Sequence, residues 1–386
     1  INLSNELFEK VKGYRNHIHQ HPELSYQEFE TANFVEEQLR KIGIQDISRI
    51  SNTGVIAIIR GSKHNDLDTC IGLRADLDAL PIPEENNVPY KSKKEGIMHA
   101  CGHDVHTSIL LGTAEVLFRL RDDLPKPVKL IFQPGEEKNP GGASLLIKEG
   151  VLKNPTVDSI CALHVFPDLE VGKLGFKEGL YMASCDEIYM TINGKGGHAA
   201  TPHQCVDPIL IGANLLTSLQ QIVSRKCDPK TPFVLSFGHF EGIGATNVIP
   251  SKVHLKGTFR TMNEPWRASA LQEIELQSRA LVESMGGTLD LEISKGYPYL
   301  ENDPKLTRSV RQKMETHFDK KNIVELPIRL TSEDFSFYSQ EIPVCFFRLG
   351  VRNEGKGIVY GVHHPRFDID VEALKIGVRA MSLASF

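Results

Sequence analysis

The densest group of chemistry-bearing residues is Met98-His99-Ala100-Cys101-Gly102-His103-Asp104-Val105-His106, which follows a polar loop and precedes a helical pattern. Cys101 and His103 stand two apart with a glycine between them. A thiolate and an imidazole on such an irregular segment can converge on one cation, and both suit zinc and other borderline metals. Taken alone, the stretch reads equally well as a loop with a buried cysteine and solvated histidines. The second group is Phe132-Gln133-Pro134-Gly135-Glu136-Glu137, at the carboxyl end of an apolar strand pattern. In open α/β sheets ligands bind at that end. Two adjacent carboxylates cannot point the same way along an extended chain. One can bind a metal while its neighbour faces an attacking water, the pairing that metal-assisted hydrolysis needs. A solvated acidic turn before Gly141-Gly142 is the plainer alternative.

Other candidates are weaker by themselves. Leu163-His164-Val165 puts a histidine at the end of another apolar strand. Gly361-Val362-His363-His364-Pro365 places two histidines in a loop, and Leu73 to Pro81 ends a strand with Asp76 and Asp78. Gly194-Lys195-Gly196-Gly197-His198 is glycine-rich but lacks the spacing and the Lys-Ser/Thr ending of a phosphate loop. Its glycines suit a tight connection, and His198 would be presented on a rigid turn.

These segments need elements to position them. Leu7, Val11, Tyr14 and Ile18 recur at helical spacing, which predicts a helix over 4–19 ended by His21-Pro22. Ser25 with Glu28 reads as a capping box opening a second helix that Gly43 ends. Strands at 55–60, 70–76, 128–132 and 160–165 alternate with helices at 104–121 and 141–148, which predicts an α/β layered domain with a mostly parallel sheet. From residue 184 the pattern changes. Strand 187–193, helix 206–225, strands 233–240 and 252–261, helix 265–284 and strand 288–293 give the order β-α-β-β-α-β of a ferredoxin-like unit. Helix 303–318, strand 344–349 and helix 370–384 then restore the α/β character. The expected organisation is a large domain from 1–184 and 297–386 with a smaller one, 185–296, inserted.

Composition is compatible with this. The chain has 386 residues, 40% hydrophobic and 24% charged, close to the globular average. A net charge of −5 with scattered Lys and Arg gives no footprint for nucleic acid or an anionic membrane. No apolar run approaches the ~20 residues of a membrane span. Ile1 to Lys10 is polar and mixed in charge, unlike a signal peptide. Seven dispersed cysteines fit reduced thiols in a cytoplasm better than a disulfide frame.

Taken together, the segments resemble one family nearly end to end: the metallopeptidase family M20, in its amidohydrolase branch of hippurate hydrolases, N-acetyl-diaminopimelate deacetylases and auxin-conjugate hydrolases. The matching stretches are His19–Leu24, Arg74–Pro81, Met98–His106, Phe132–Glu137, Gly194–Pro202, Thr246–Pro250, Gly257–Thr261, Ser332–Phe335 and His363–Pro365. The resemblance implies two divalent metal ions, zinc or manganese, held by Cys101, His103, Glu137, His164 and His363. It implies Glu136 as general base and Asp78 as the acid that orients a ligand. The inserted domain would be a lid and dimerisation domain. Its His198 would reach across a homodimer to stabilise the oxyanion, and Asn247 and Arg260 would hold the substrate carboxylate. For Arg260 an ion pair within its own domain is the alternative. Two positions depart from the family pattern: His364 stands where a serine is usual, and Lys138-Asn139-Pro140 replaces a glycine-rich loop.

The activity so implied is metal-dependent hydrolysis of N-acyl amino acids. A carboxypeptidase or dipeptidase on the same scaffold is the nearest rival, and a non-catalytic metal or ligand binder the next. A binder has no need of Glu136 beside the ligands, and a closed structural zinc site uses four.

Overall fold

The computed structural model describes residues 2–65 and 69–386. The chain divides into two compact units. The first comprises Ile1–Gly179, Glu301–Pro327 and Asp334–Phe386; the second comprises Leu180–Leu300 and Ile328–Glu333.

An eight-stranded sheet organises the first unit, in the order Ile47–Ile50, Gly54–Ile59, Val128–Gln133, Cys70–Asp76, Val157–Glu170, Val344–Arg352, Leu174–Phe176, Ile323–Glu325. The four strands from Val128–Gln133 to Val344–Arg352 run parallel. Antiparallel pairings occur only towards the flanks. The central strands are apolar without alternation, and all six residues of Val128–Gln133 are buried, as expected where both faces are covered. Helix His103–Arg119 is buried almost all round, from His103 through Leu117. Helices Phe8–Gln20 and Glu372–Ala384 pack against it. Gly112 permits the approach: a Cβ there would stand 2.6 Å from Val11 Cγ2 and 2.8 Å from Val378 Cγ2.

The second unit follows the order strand Asp186–Asn193, helix Pro208–Gln221, strands Phe233–Glu241 and Lys252–Thr261, helix Glu264–Ser284, strand Thr288–Lys295. Its four strands form one antiparallel sheet with Lys252–Thr261 and Asp186–Asn193 in the centre. This is the β-α-β-β-α-β arrangement. Ile188, Met190 and Ile192 alternate inward against Ile211, Leu215 and Ile274, while Glu187 on the same strand is exposed. Asp207 caps the first helix by accepting from the Ile209 and Leu210 N–H groups, with Pro208 at its first turn. That start lies inside the expected 206. Among buried charges, Arg267 makes a forked pair with Asp186 at 2.8 and 2.6 Å.

Two sequence expectations change. The first helix is interrupted at Leu7, giving Asn2–Glu6 and Phe8–Gln20. The capping box does not form. Helix Phe29–Ile42 has Glu28 at its N-cap with no side-chain cap. Ser25 instead donates to Asp78, and Glu28 accepts from Tyr26, Thr53 and Gly135. Tertiary partners outcompeted the local pattern. Gly43 does end that helix, at φ +108°. No helix among the described residues is long and apolar enough to cross a membrane, and all seven cysteines are free thiols.

Candidate metal centre

The carboxyl ends of the parallel strands converge in the first unit. Asp76 ends Cys70–Asp76, the Glu136-Glu137 loop follows Val128–Gln133, and His164 lies on Val157–Glu170. Helix His103–Arg119 starts here. Its N-cap, Gly102, has φ +86°, and a Cβ on it would stand 2.6 Å from Val165 Cγ2. Only glycine allows that turn, which sets Cys101 and His103 beside the His164 strand. His363 arrives on a loop at φ +65°, unusual for a bulky residue, with its N–H donating to the Ala100 carbonyl at 2.7 Å.

Hydrogen bonds decide which lone pairs remain. His164 donates from Nδ1 to the Val165 carbonyl (2.7 Å), so the Nε2 lone pair faces Cys101 Sγ at 3.4 Å. His103 directs Nδ1 at Asp78 Oδ1 (3.2 Å), while its Nε2 has no hydrogen-bond partner. Glu137 Oε1 also has none; it lies 3.9 Å from His103 Nε2 and 3.2 Å from His363 Nε2. A ligand imidazole whose other nitrogen is held by a carboxylate or carbonyl is the usual arrangement at metal sites. Ligand atoms of Cys101, His103 and His164 lie within 4.8 Å of one another, as do those of Cys101, Glu137 and His363, and those of His103, Glu136 and Glu137. Cys101 belongs to the first two groups.

The charge balance points the same way. Burial disfavours a charged His103, but the Asp76, Asp78 and Glu137 carboxylates outweigh it and push its pKa up to about 10. Burial, with Glu137, Glu136 and Asp76, raises the Cys101 thiol. A divalent cation would reverse both effects, displacing the protons from ligand atoms. The buried orphan atoms and the surplus of carboxylate charge fit a pair of such cations.

Glu136 is buried, and Oε1 accepts the Asp334 N–H at 3.3 Å. Asp334 is itself fixed. Its carboxylate accepts from Arg74 (2.8 Å), from Gln133 and from the Ala143 N–H (2.9 Å). Asp78 accepts from Ser25 (2.6 Å) and the Glu137 N–H (2.9 Å) besides facing His103.

The structure brings together Cys101, His103, Glu136, Glu137, His164, His363 and Asp78. His364 turns elsewhere: its Nδ1 accepts from the Arg366 N–H, and its ring stacks on Tyr360. His198, Asn247 and Arg260 belong to the second unit. His198 is exposed, on a two-residue strand paired with Val248–Ile249, and Nδ1 accepts the Ala200 N–H at 3.1 Å. Asn247 is exposed, and its carbonyl accepts the Ala199 N–H. Arg260 donates to the Leu330 carbonyl at 3.0 Å.

Sequence reasoning gave Asp76, His106 and Arg74 no role in the site, although all three lie in stretches it singled out. His106 accepts the Val165 N–H on Nε2 and donates from Nδ1 to Asp76 at 2.6 Å, so both nitrogens are spent. Arg74 joins Asp76 (2.7 Å) to Asp334. The signals were present: Asp76 and Asp78 are two apart on an extended stretch, and His103 and His106 are three apart on a helix, so each pair shares a face.

The model of peptidase family M20/M25/M40 matches residues 72–385. The chain belongs to that family. An N-acyl-L-amino acid amidohydrolase of Geobacillus stearothermophilus is 40% identical over 336 residues, 84% of this chain and 90% of that protein. Thermostable carboxypeptidase 2 of Saccharolobus solfataricus is 36% identical over 96% of this chain and 93% of its own length. Among solved structures, the Bacillus subtilis YXEP protein, described as a dinuclear metal-binding peptidase of family M20, superimposes with a TM-score of 0.82 at 31% identity, covering 99% of this chain and 98% of that one.

Proposed function

We propose that the chain is a metal-dependent amidohydrolase that cleaves N-acyl amino acids, acetyl, benzoyl or similar, to a carboxylate and the free amino acid. The observation that carries this reading is the pair of donor groups sharing Cys101, with the buried carboxylate of Glu136 next to Glu137. Cys101, His103, Glu137, His164 and His363 would hold two zinc or manganese ions, which supply Lewis acidity and bring the pKa of water toward ~7. Glu136 takes the proton of the attacking water and returns it to the leaving nitrogen. Asp78 orients His103 through Nδ1.

In the second unit, the Ala200 N–H occupies His198 Nδ1, which leaves the proton on Nε2. That outward N–H suits a developing oxyanion. Arg260 and Asn247 take the substrate α-carboxylate, for which a guanidinium fork is well shaped. Residues 185–296 act as lid and dimerisation domain, with His198 serving the partner of a homodimer. Exposed Leu210, Phe240 and Ile243 on this unit, the last at 80% exposure, support burial against a second copy. The enzyme works in the cytoplasm, in keeping with its free thiols.

The test is hydrolysis of N-acetyl-methionine, hippurate and a dipeptide by metal-stripped protein reloaded with Zn²⁺ or Mn²⁺. Metal-dependent release of free amino acid from the first two is expected. Turnover of the dipeptide alone would favour a peptidase, an activity the name of the Saccharolobus relative describes. Two bound ions with no turnover of any substrate would make the chain a binder.

A further inference from the structure

The segment between helices Phe8–Gln20 and Phe29–Ile42 carries residues that the proposed reaction does not use, yet two of them, Tyr26 and Glu28, reach the Glu136-Glu137 loop directly and a third, Ser25, through Asp78. Glu28 is fully buried, and its Oε1 accepts both the Gly135 N–H (2.8 Å) and the Tyr26 N–H (2.9 Å). Its Oε2 accepts from Thr53 Oγ1 at 2.7 Å. Tyr26 donates its hydroxyl to the Lys138 carbonyl (2.6 Å) and accepts the Gly141 N–H on the same oxygen (3.1 Å). Its ring lies flush against Gly135, where a Cβ would be 2.2 Å from Cε1. Ser25 reaches Asp78, which holds the Glu137 N–H and faces His103.

The loop closes on itself through the Gly142 N–H to the Gly135 carbonyl (3.0 Å) and the Gly141 N–H to the Lys138 carbonyl (3.0 Å). Those internal bonds fix its shape but not its placement. Glu28 grips the residue immediately before Glu136, and Tyr26 grips the loop at its middle and exit. Gly135 has φ +61° and Tyr26 φ +66°, so each backbone adopts a left-handed turn at the point of contact. Neither side chain belongs to a candidate ligand group.

We infer that Tyr26 and Glu28 are positioning residues that fix the Glu136-Glu137 loop, and with it the general base, relative to the ligands on the other strands. This rests on the reading of Glu136 as base. The brace works through hydrogen-bond geometry, not through charge. A glutamine at 28 can accept both N–H groups on its amide oxygen and donate its NH₂ to Thr53 Oγ1.

The experiment compares wild type, Tyr26→Phe, Glu28→Gln and Glu28→Ala, all metal-loaded. Steady-state kinetics on N-acetyl-methionine are paired with amide hydrogen exchange of the peptide covering 132–142. Tyr26→Phe keeps the ring and removes both hydroxyl contacts. It should lower kcat on the order of 10–100-fold, the usual effect of losing an outer partner of a metal site. KM should stay within about twofold, since binding in the ground state is untouched. Exchange should rise in 132–142 and not across the chain. Glu28→Gln should stay near wild type in both readouts, whereas Glu28→Ala should follow Tyr26→Phe. Unchanged kcat and unchanged loop exchange in Tyr26→Phe overturn the inference, as does a loss confined to KM, which would make Tyr26 a substrate contact. Equal losses in Glu28→Gln and Glu28→Ala would show that the charge matters and overturn the geometric account. If wild type turns over nothing, the functional reading fails, while the exchange data still judge the brace.

Discussion

The Glu136-Glu137 loop and the turn carrying His198 both present a side chain on an irregular segment, and they are held in opposite ways. Around Glu136 the contacts that place the loop come from far along the chain: Glu28, Tyr26, Asp78 and Asp334. Around His198 the support is mostly near: the Ala200 N–H on its own ring, the Thr201 N–H on its carbonyl, and one short strand pair with Val248–Ile249. Glu136 is buried and His198 exposed. A group that moves protons beside bound cations needs a fixed, water-poor setting. A group that meets its target from outside needs reach and a defined tautomer, which a rigid turn supplies.

The sharpest test of that contrast is Glu136→Gln. It should keep the fold and the metal content and lower kcat by at least the ~10²–10⁴-fold typical of a general acid–base. A near-normal rate in the loaded variant would remove Glu136 from the chemistry.

A second prediction concerns the helix that starts at His103. Asp104 is fully buried, and although burial opposes its charge, Arg15 at 2.8 Å and His19 at 2.7 Å hold its carboxyl below the usual range. A depressed carboxylate contributes stability above its unfolded pKa of ~3.9 and loses it as pH falls through the folded value. Asp104→Asn should therefore cost about 3–5 kcal/mol at neutral pH, the scale for breaking a buried pair. It should also flatten the acid limb of unfolding free energy below about pH 4. Urea titrations across pH measure both. Equal acid limbs in the two proteins would assign the acid sensitivity elsewhere.

His198→Ala should lower kcat by about 10²–10³-fold, as for loss of an oxyanion donor. Its unfolding free energy should stay within about 0.5 kcal/mol, as for an exposed side chain. A fall in stability as large as that of Asp104→Asn would break the contrast between the two regions. The smallest expected effect is that of Asp78→Asn, about 10–100-fold in metal affinity, read by competition with a chelating dye. An unchanged affinity would leave Asp78 as a tie between Ser25 and Glu137 only.

Much of the molecule was legible from residues alone. The switch from a parallel α/β pattern to β-α-β-β-α-β follows from periodicities of 3.6 and 2, and the observed strands of the second unit start within a residue or two of the expected ones. The Cys101–His103 and Glu136–Glu137 pairs stood out because both members are close in sequence. Ser25 and Glu28 misled for the same reason: their spacing fits a local cap, and a local rule cannot see Asp78 or Gly135 arriving from elsewhere.

The sequence by itself determined most of the elements and their order, because these depend on local propensity and on neighbours a few residues apart, while the candidate ligand set came from the resemblance to family M20. Only the tertiary structure decided which nitrogen of His103 and His164 is free, that both nitrogens of His106 are engaged, and that His363 rather than His364 turns to Glu137. It alone showed that Tyr26 and Glu28 hold the loop. Apart from the local His164–Val165 and Arg366–His364 bonds, those outcomes depend on contacts between residues tens to hundreds of positions apart, whose partners exist only once the strands are laid side by side.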